Sequence, residues 1–197
     1  RGKKRLILTE NSAKIFKKRF KGNVPEISII SKKDFERNYY SEENNQGIVL
    51  EALRLPNISI DTIINETKNK SRSILLMLDR VKDPQNIGSI MRSAALFGSK
   101  TVIVSSDNAP DMNSTIIKSA SGAAEIVNYI KVTNLVRCIQ EIKKKNFWVI
   151  GLDSESNQTI DKLDMPDKCL LVIGSEHSGL RELTKKNCDY LISIKSK

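Results

Sequence analysis

The sequence predicts an α/β chain in which a parallel β-sheet flanked by helices follows a smaller α/β unit. From Ser73 onward, short apolar runs alternate with segments of helical period, the rhythm of repeated strand–helix units. Several of those runs, such as Ile74–Leu78 and Cys169–Ile173, are continuously apolar, as strands are when helices cover both faces of a parallel sheet. Charge then separates the two parts. Of 33 Lys+Arg and 23 Asp+Glu, residues 1–72 hold 16 and 9, whereas the remainder holds 17 and 14, so most of the net +10 lies in the N-terminal third.

The N-terminal third reads as short alternating elements. Arg5–Leu8 is a brief strand, and Glu10–Phe20 is a basic helix whose Ala13, Phe16 and Phe20 share one face. Glu26–Ile30 is a second strand, Ser31 caps a helix over Lys32–Tyr39, and Gly47–Leu53 is a third strand after the polar loop Ser41–Asn45. Leu55–Arg72 reads as a linker: Pro56 stops the strand, and Ile60, Ile63 and Ile64 dress one side of a short helix. The domain boundary is therefore expected near Lys70, giving units 1–70 and 71–197. Beyond it, strands are expected at Ile74–Leu78, Thr101–Val104, Ile126–Ile130, Phe147–Gly151, Cys169–Ile173 and Leu191–Ile194. Helices fit Ile87–Phe97, Ser114–Ser121, Leu135–Lys145 and Gly179–Lys186.

Composition excludes several functions. No apolar run approaches the roughly 18 residues that a membrane-spanning helix needs, and the opening Arg-Gly-Lys-Lys-Arg is not a secretory signal. Cys138, Cys169 and Cys188 form no C-x-x-C, and His177 is the single histidine, so no metal site is expected and the thiols read as reduced and cytosolic. There is no G-x-G-x-x-G, no G-x-x-x-x-G-K-[ST] and no G-x-S-x-G, which argues against a dinucleotide-binding fold, a P-loop nucleotidase and a serine hydrolase. A basic lobe such as Lys3-Lys4-Arg5 with Lys14, Lys17, Lys18, Arg19 and Lys21 suits nucleic acid, although a solubilising face would carry the same charge.

Two stretches carry chemistry. In Asp83-Pro84-Gln85-Asn86-Ile87-Gly88 a strand gives way to a Pro-containing loop and a helix; Asn86 is a natural N-cap, and Arg92 follows six residues later on the same helix. In Gly174-Ser175-Glu176-His177-Ser178-Gly179-Leu180 an apolar strand runs into a glycine-bounded polar loop, the place where open parallel sheets bind ligands. Taken alone, the first stretch reads more readily as a plain capped helix with a surface arginine, and the second is equally readable as a strand-to-helix turn whose glycines serve only geometry. His177 reads as a loop residue, not a catalyst.

Together these stretches resemble the first two motifs of the SpoU (TrmH-like) branch of the SPOUT RNA methyltransferases. The first motif is D-P-x-N-x-G followed by R-[ST]-A and a glycine, here Asp83–Gly88, Arg92-Ser93-Ala94 and Gly98. The second is G-x-E-x-x-G-[LIM], here Gly174–Leu180. Lys118–Glu125 is similar to the family's helix before its third strand, and Gln46–Ala52 looks like the strand that ends the L30e-like domain of the 23S rRNA guanosine-2′-O-methyltransferase subgroup. The departures are a histidine at position 177, where glycine is common, and a chain that stops at Lys197 before the family's Ser-Leu-Asn motif. A fragment is therefore expected, lacking that third motif and the first helix of the N-terminal domain; the missing initial methionine agrees.

The resemblance implies a SPOUT-type parallel sheet with a C-terminal trefoil knot, preceded by a partial L30e-like RNA-binding domain. It implies S-adenosylmethionine as cofactor, a ribose 2′-hydroxyl of RNA as acceptor (23S rRNA by subgroup, tRNA as the alternative), a cytoplasmic homodimer and no membrane. Arg92, Asn86 and Glu176 become the catalytic residues, and Gly151, Ile173, Gly174, Ser175, Ile192 and Ile194 the cofactor contacts. Arginine is too weak an acid to serve as a base at neutral pH, so Arg92 is expected to bind phosphate and stabilise the developing alkoxide. A noncatalytic RNA-binding protein and a generic nucleotide-binding domain are the competing readings.

Overall fold

The computed structural model describes residues 4–20, 26–39, 45–53, 56 and 58–194. Lys3, Lys21 and most of the expected Ser41–Asn45 loop lie outside the described residues. The chain divides into two compact units, Arg1–Pro56 and Asn57–Lys197.

The first unit runs β1 (Arg5–Thr9), α1 (Glu10–Arg19), β2 (Glu26–Ile30), α2 (Lys32–Tyr39) and β3 (Ile48–Glu51). Its sheet has the order β2-β1-β3, with β1 parallel to β2 and antiparallel to β3. Thr9 ends β1 and caps α1 by accepting a hydrogen bond from the Ser12 amide at 3.3 Å. Ser31 caps α2 in the same way, accepting from the Asp34 amide at 3.1 Å. The core is thin: Leu6, Leu8 and Ala13 with Phe16 and Ile27 against them. The third strand starts at Ile48 because Gly47, at φ +73°, is spent on the turn, where a Cβ would come within 2.6 Å of Thr9 Oγ1.

The second unit runs α3 (Ile60–Thr67), β4 (Ser73–Asp79), α4 (Pro84–Leu96), β5 (Thr101–Ser105), α5 (Ser114–Ala120), β6 (Asn128–Val132), α6 (Leu135–Lys143), β7 (Trp148–Leu152), β8 (Lys168–Gly174), α7 (Glu182–Lys186) and β9 (Tyr190–Ile192). Its six strands are parallel in the order β6-β5-β4-β8-β7-β9. Alternation along β4 shows why its sequence is apolar throughout. Leu75 and Met77 enter one core with Ile63, Ile64 and Ile139, while Leu76 and Leu78 enter the other with Ile87, Met91 and Ile116. The chain leaves β4 toward β5 on one side and returns through β8 on the other, so the carboxyl end of β4 is a topological switch point.

Several sequence expectations shift. The boundary falls after Pro56, not near Lys70, because α3 buries Ile63 and Ile64 in the core of the second unit. Helix α4 begins at Pro84, with Asp83 as its N-cap accepting from the Gln85 amide at 2.9 Å. Proline at the first helical position loses no hydrogen bond there, so the cap lies three residues before Asn86. Strand β6 begins at Asn128, since a short 3-10 turn occupies Ala123–Glu125. Helix α7 begins at Glu182, because residues 175–181 are held in a loop by the contacts described below. Cys138, Cys169 and Cys188 are free thiols, and burial pushes Cys138 and Cys188 up to about 12, so neither is a nucleophile near neutral pH.

Candidate active site

The site forms where the loops after β4 and β8 meet. Asp79, the last residue of β4, is fully buried and stands in register with Gly174, the last residue of β8. Its Oδ2 accepts a hydrogen bond from the Arg181 amide at 3.0 Å, and Arg181 Nε lies 2.7 Å from its Oδ1, off the line of a hydrogen bond. A buried carboxylate needs such a partner, and losing it would strand the charge in the interior.

The next residue, Arg80, has φ +63°. A long L-side chain in the left-handed region carries strain of about 1–3 kcal/mol, so the surrounding structure must hold it there. Its Nη2 donates to the carbonyls of Ser178 at 3.2 Å and Gly179 at 3.4 Å. Its Nε is buried and has no hydrogen-bond partner among the described residues.

The loop itself is closed on its own backbone. Ser175 N donates to Gly179 O at 3.2 Å, Gly179 N donates to Ser175 O at 2.9 Å, and the two hydroxyls of Ser175 and Ser178 lie 2.7 Å apart. Gly174 must be glycine, because a Cβ there would lie 2.5 Å from Gly179 O and from the Leu180 amide nitrogen. His177 sits exposed at the tip. The closure leaves Glu176 projecting, and Asn86 Nδ2 donates to its Oε1 at 2.8 Å. This bond joins the two sequence motifs across 90 positions of chain.

Arg92 is not joined to that pair by any hydrogen bond or ion pair among the described residues. It is exposed on α4, about 9 Å along the helix axis and about 120° around from Asn86 by helix geometry. It faces solvent as an open cation.

The residues expected to hold cofactor gather on one edge. Gly151 pairs with Val172, next to Ile173 and Gly174, and Leu152 pairs with Ile192, so four of them lie at the carboxyl ends of the adjacent strands β8, β7 and β9. Ser175 continues from β8, its hydroxyl engaged by Ser178, and Ile194 lies exposed two residues past β9. Ser193 binds the loop after β7, donating to Gln158 O at 2.8 Å and accepting from the Ile160 amide at 3.0 Å. Asp153 begins that loop and pairs with Lys185 of α7 at 2.8 Å, a bond that holds its carboxyl below the ordinary 3.8. Sequence reasoning missed Asp79, Arg80 and Arg181. The only local signal was an acidic-basic pair at the end of an apolar strand, and their partners lie about a hundred residues away.

The sequence profile of the SpoU rRNA methylase family matches residues 73–197. The 23S rRNA (guanosine-2′-O-)-methyltransferase RlmB of Coxiella burnetii is 37% identical over 85% of this chain and 68% of its own length. That of Salmonella typhi is 44% identical over 62% of this chain and 51% of its own length. The chain thus spans about half to two thirds of these relatives. The SpoU methyltransferase AviRb of Streptomyces viridochromogenes, solved in complex with AdoMet, matches 98% of this chain and 73% of its own with a TM-score of 0.76 and 19% identity. At that identity the likeness establishes the shared fold.

Proposed function

The chain belongs to the SpoU rRNA methylase family, and we propose on that premise that it transfers a methyl group from S-adenosylmethionine to a ribose 2′-hydroxyl of RNA, with a guanosine of 23S rRNA as the target. The observation that carries the reading is the 2.8 Å bond from Asn86 to Glu176, which brings both family motifs to the switch point of the sheet.

The edge fits that cofactor by its donor chemistry. Main-chain groups and the apolar Leu152, Ile173 and Ile194 suit an uncharged adenosine, Thr159 Oγ1 in the adjoining loop is a buried hydroxyl without a hydrogen-bond partner among the described residues, and Glu176 supplies negative charge. When bound, S-adenosylmethionine supplies an electrophilic methyl group on a cationic sulfonium. Asn86 holds Glu176 through one amide hydrogen and keeps its side-chain oxygen and second hydrogen for the RNA. Arg92, permanently charged, binds the target's phosphate and stabilises negative charge as it develops on the 2′-oxygen. Transfer to the 2′-oxygen would break the sulfonium's carbon–sulfur bond and release neutral S-adenosylhomocysteine, while the proton lost from the hydroxyl would pass to the RNA phosphate.

The remaining roles follow from the same reading. The first unit is the L30e-like domain that holds RNA phosphates, supported by its basic excess. The bonds between Ser193 and the loop 158–160 support a trefoil knot closed around the end of β9. The protein acts as a homodimer in the cytoplasm, where its RNA is; no helix among the described residues is long and apolar enough to cross a membrane.

The test is incubation with 23S rRNA or tRNA and labelled cofactor, followed by nucleoside analysis, beside a calorimetric titration of S-adenosylhomocysteine. 2′-O-methylguanosine in 23S rRNA is the expected product. Label in tRNA alone would move the target, and neither transfer nor cofactor binding would leave a noncatalytic RNA-binding protein. Arg92→Lys keeps the charge but loses the planar fork, so wild-type turnover in that variant would remove the guanidinium from the mechanism.

A further inference from the structure

Arg80 stands outside both sequence motifs yet grips the second one. A turn that needed only a positive φ would be filled by glycine without strain, whereas this turn carries arginine at φ +63°. The side chain directs its Nη2 at the carbonyls of Ser178 and Gly179, 98 and 99 positions away. Its backbone neighbour Asp79 meanwhile anchors Arg181, just beyond the same loop. The end of β4 therefore holds the loop after β8 at two points, and Glu176 projects from between Gly174 and those anchors toward Asn86.

We propose that Arg80 is a positioning residue of the transfer site: its guanidinium fixes the 175–179 loop so that Gly174 and Ser175 present their backbone to the cofactor and Glu176 meets Asn86. The inference rests on the methyltransferase reading for what the loop is held to do. Without the guanidinium, two loop carbonyls lose a charged donor, while the apolar side chains of both cores stay as they are.

The decisive variant is Arg80→Gly, which relieves the backbone while deleting the side chain. Its melting temperature is expected to equal or exceed that of the wild type. S-adenosylhomocysteine is expected to bind about tenfold more weakly by calorimetry, the loss of charge-assisted hydrogen bonds of ordinary strength. RNA affinity is expected to stay within about twofold, since no phosphate contact is assigned to Arg80. By hydrogen exchange, the Gly179 amide, now bonded to Ser175 O, is expected to lose protection while the amides of β4 and β5 keep theirs. Arg80→Lys is expected to fall between the two.

Wild-type cofactor affinity and an unchanged Gly179 amide in Arg80→Gly would overturn the proposal. So would a lowered melting temperature with faster exchange throughout the core, which would make the residue merely structural. If the wild type itself binds no S-adenosylhomocysteine while the Gly179 amide still responds to Arg80→Gly, the methyltransferase reading falls and takes the cofactor role with it, leaving only the loop contact.

Discussion

The two units solve the same problem with unequal means. In the second, β4 is covered on both faces, and its side chains alternate between two large cores. In the first, a three-stranded sheet buries chiefly β1, while Ile29, Ile48 and Leu50 on its flanking strands remain exposed. Small sheets bury a smaller share of their surface, so stability concentrates in the larger unit and the smaller one is mostly surface. The difference fits the proposed division of labour, in which one part presents charge to RNA and the other holds the cofactor.

The sharpest way to break this comparison is to attack the larger unit where it is polar. Arg181→Ala leaves Asp79 buried without its counter-charge and is expected to lower stability by about 3–5 kcal/mol in denaturant titration. A loss below about 1 kcal/mol would mean that water reaches Asp79. Paired core truncations come next. Met77→Ala and Leu8→Ala are each expected to cost about 2–5 kcal/mol, but with different reach. The first should weaken S-adenosylhomocysteine binding, and the second should melt the smaller unit while calorimetric binding persists. Equal loss of binding in both would contradict the division.

A smaller effect is expected where two helices of the larger unit touch. A Cβ on Gly88 would lie 2.7 Å from Ile116 O and 3.0 Å from the Ala120 amide nitrogen. Backbone atoms yield poorly, so Gly88→Ala is expected to cost about 1–3 kcal/mol in thermal unfolding, and a neutral result would show that α4 and α5 slide apart freely.

The smallest effect is the pH dependence of the Asp153–Lys185 pair. The hydrogen bond from Lys185 lowers the Asp153 carboxyl below 3.8, so its stabilisation is complete above about pH 4 and is lost as pH falls through the lowered value. The same bond raises Lys185 above 10.5, so that contribution is present at lower pH and is lost as pH rises through the raised value. Lys185→Met should flatten both limbs of a melting-temperature profile.

Legibility followed the range of the interactions. Strands β4 and β8 were readable because burial on both faces leaves a continuous apolar run, and α1 and α2 because their caps lie within three residues. Helix α3 is legible as a short helix from its three isoleucines, but Pro56 and the polar Lys68–Arg72 around it read as a linker, and only the fold supplies the core that the isoleucines enter. Asn86 has the chemistry of a cap for α4, but Asp83 has it too, and Pro84 decides between them. The start of α7 is illegible locally for a different reason. Residues 175–181 are kept out of the helix by Asp79 and Arg80, about a hundred positions upstream, and no local pattern records that. The motifs mark the candidate site, while the groups that fix its shape leave no trace in spacing.

The pairing of β4 with β8 has a consequence for how the protein is made. Ribosomes deliver about 5–20 residues per second, and the strand that completes the centre of the sheet is encoded roughly a hundred residues after the one it covers. For on the order of ten seconds a nascent chain therefore carries Leu75–Leu78 with one edge open, the condition under which strands pair with the wrong neighbour. Slow translation of the stretch that encodes residues 80–168 should accordingly prolong the chain's dependence on chaperones, even though nothing in the finished protein would differ.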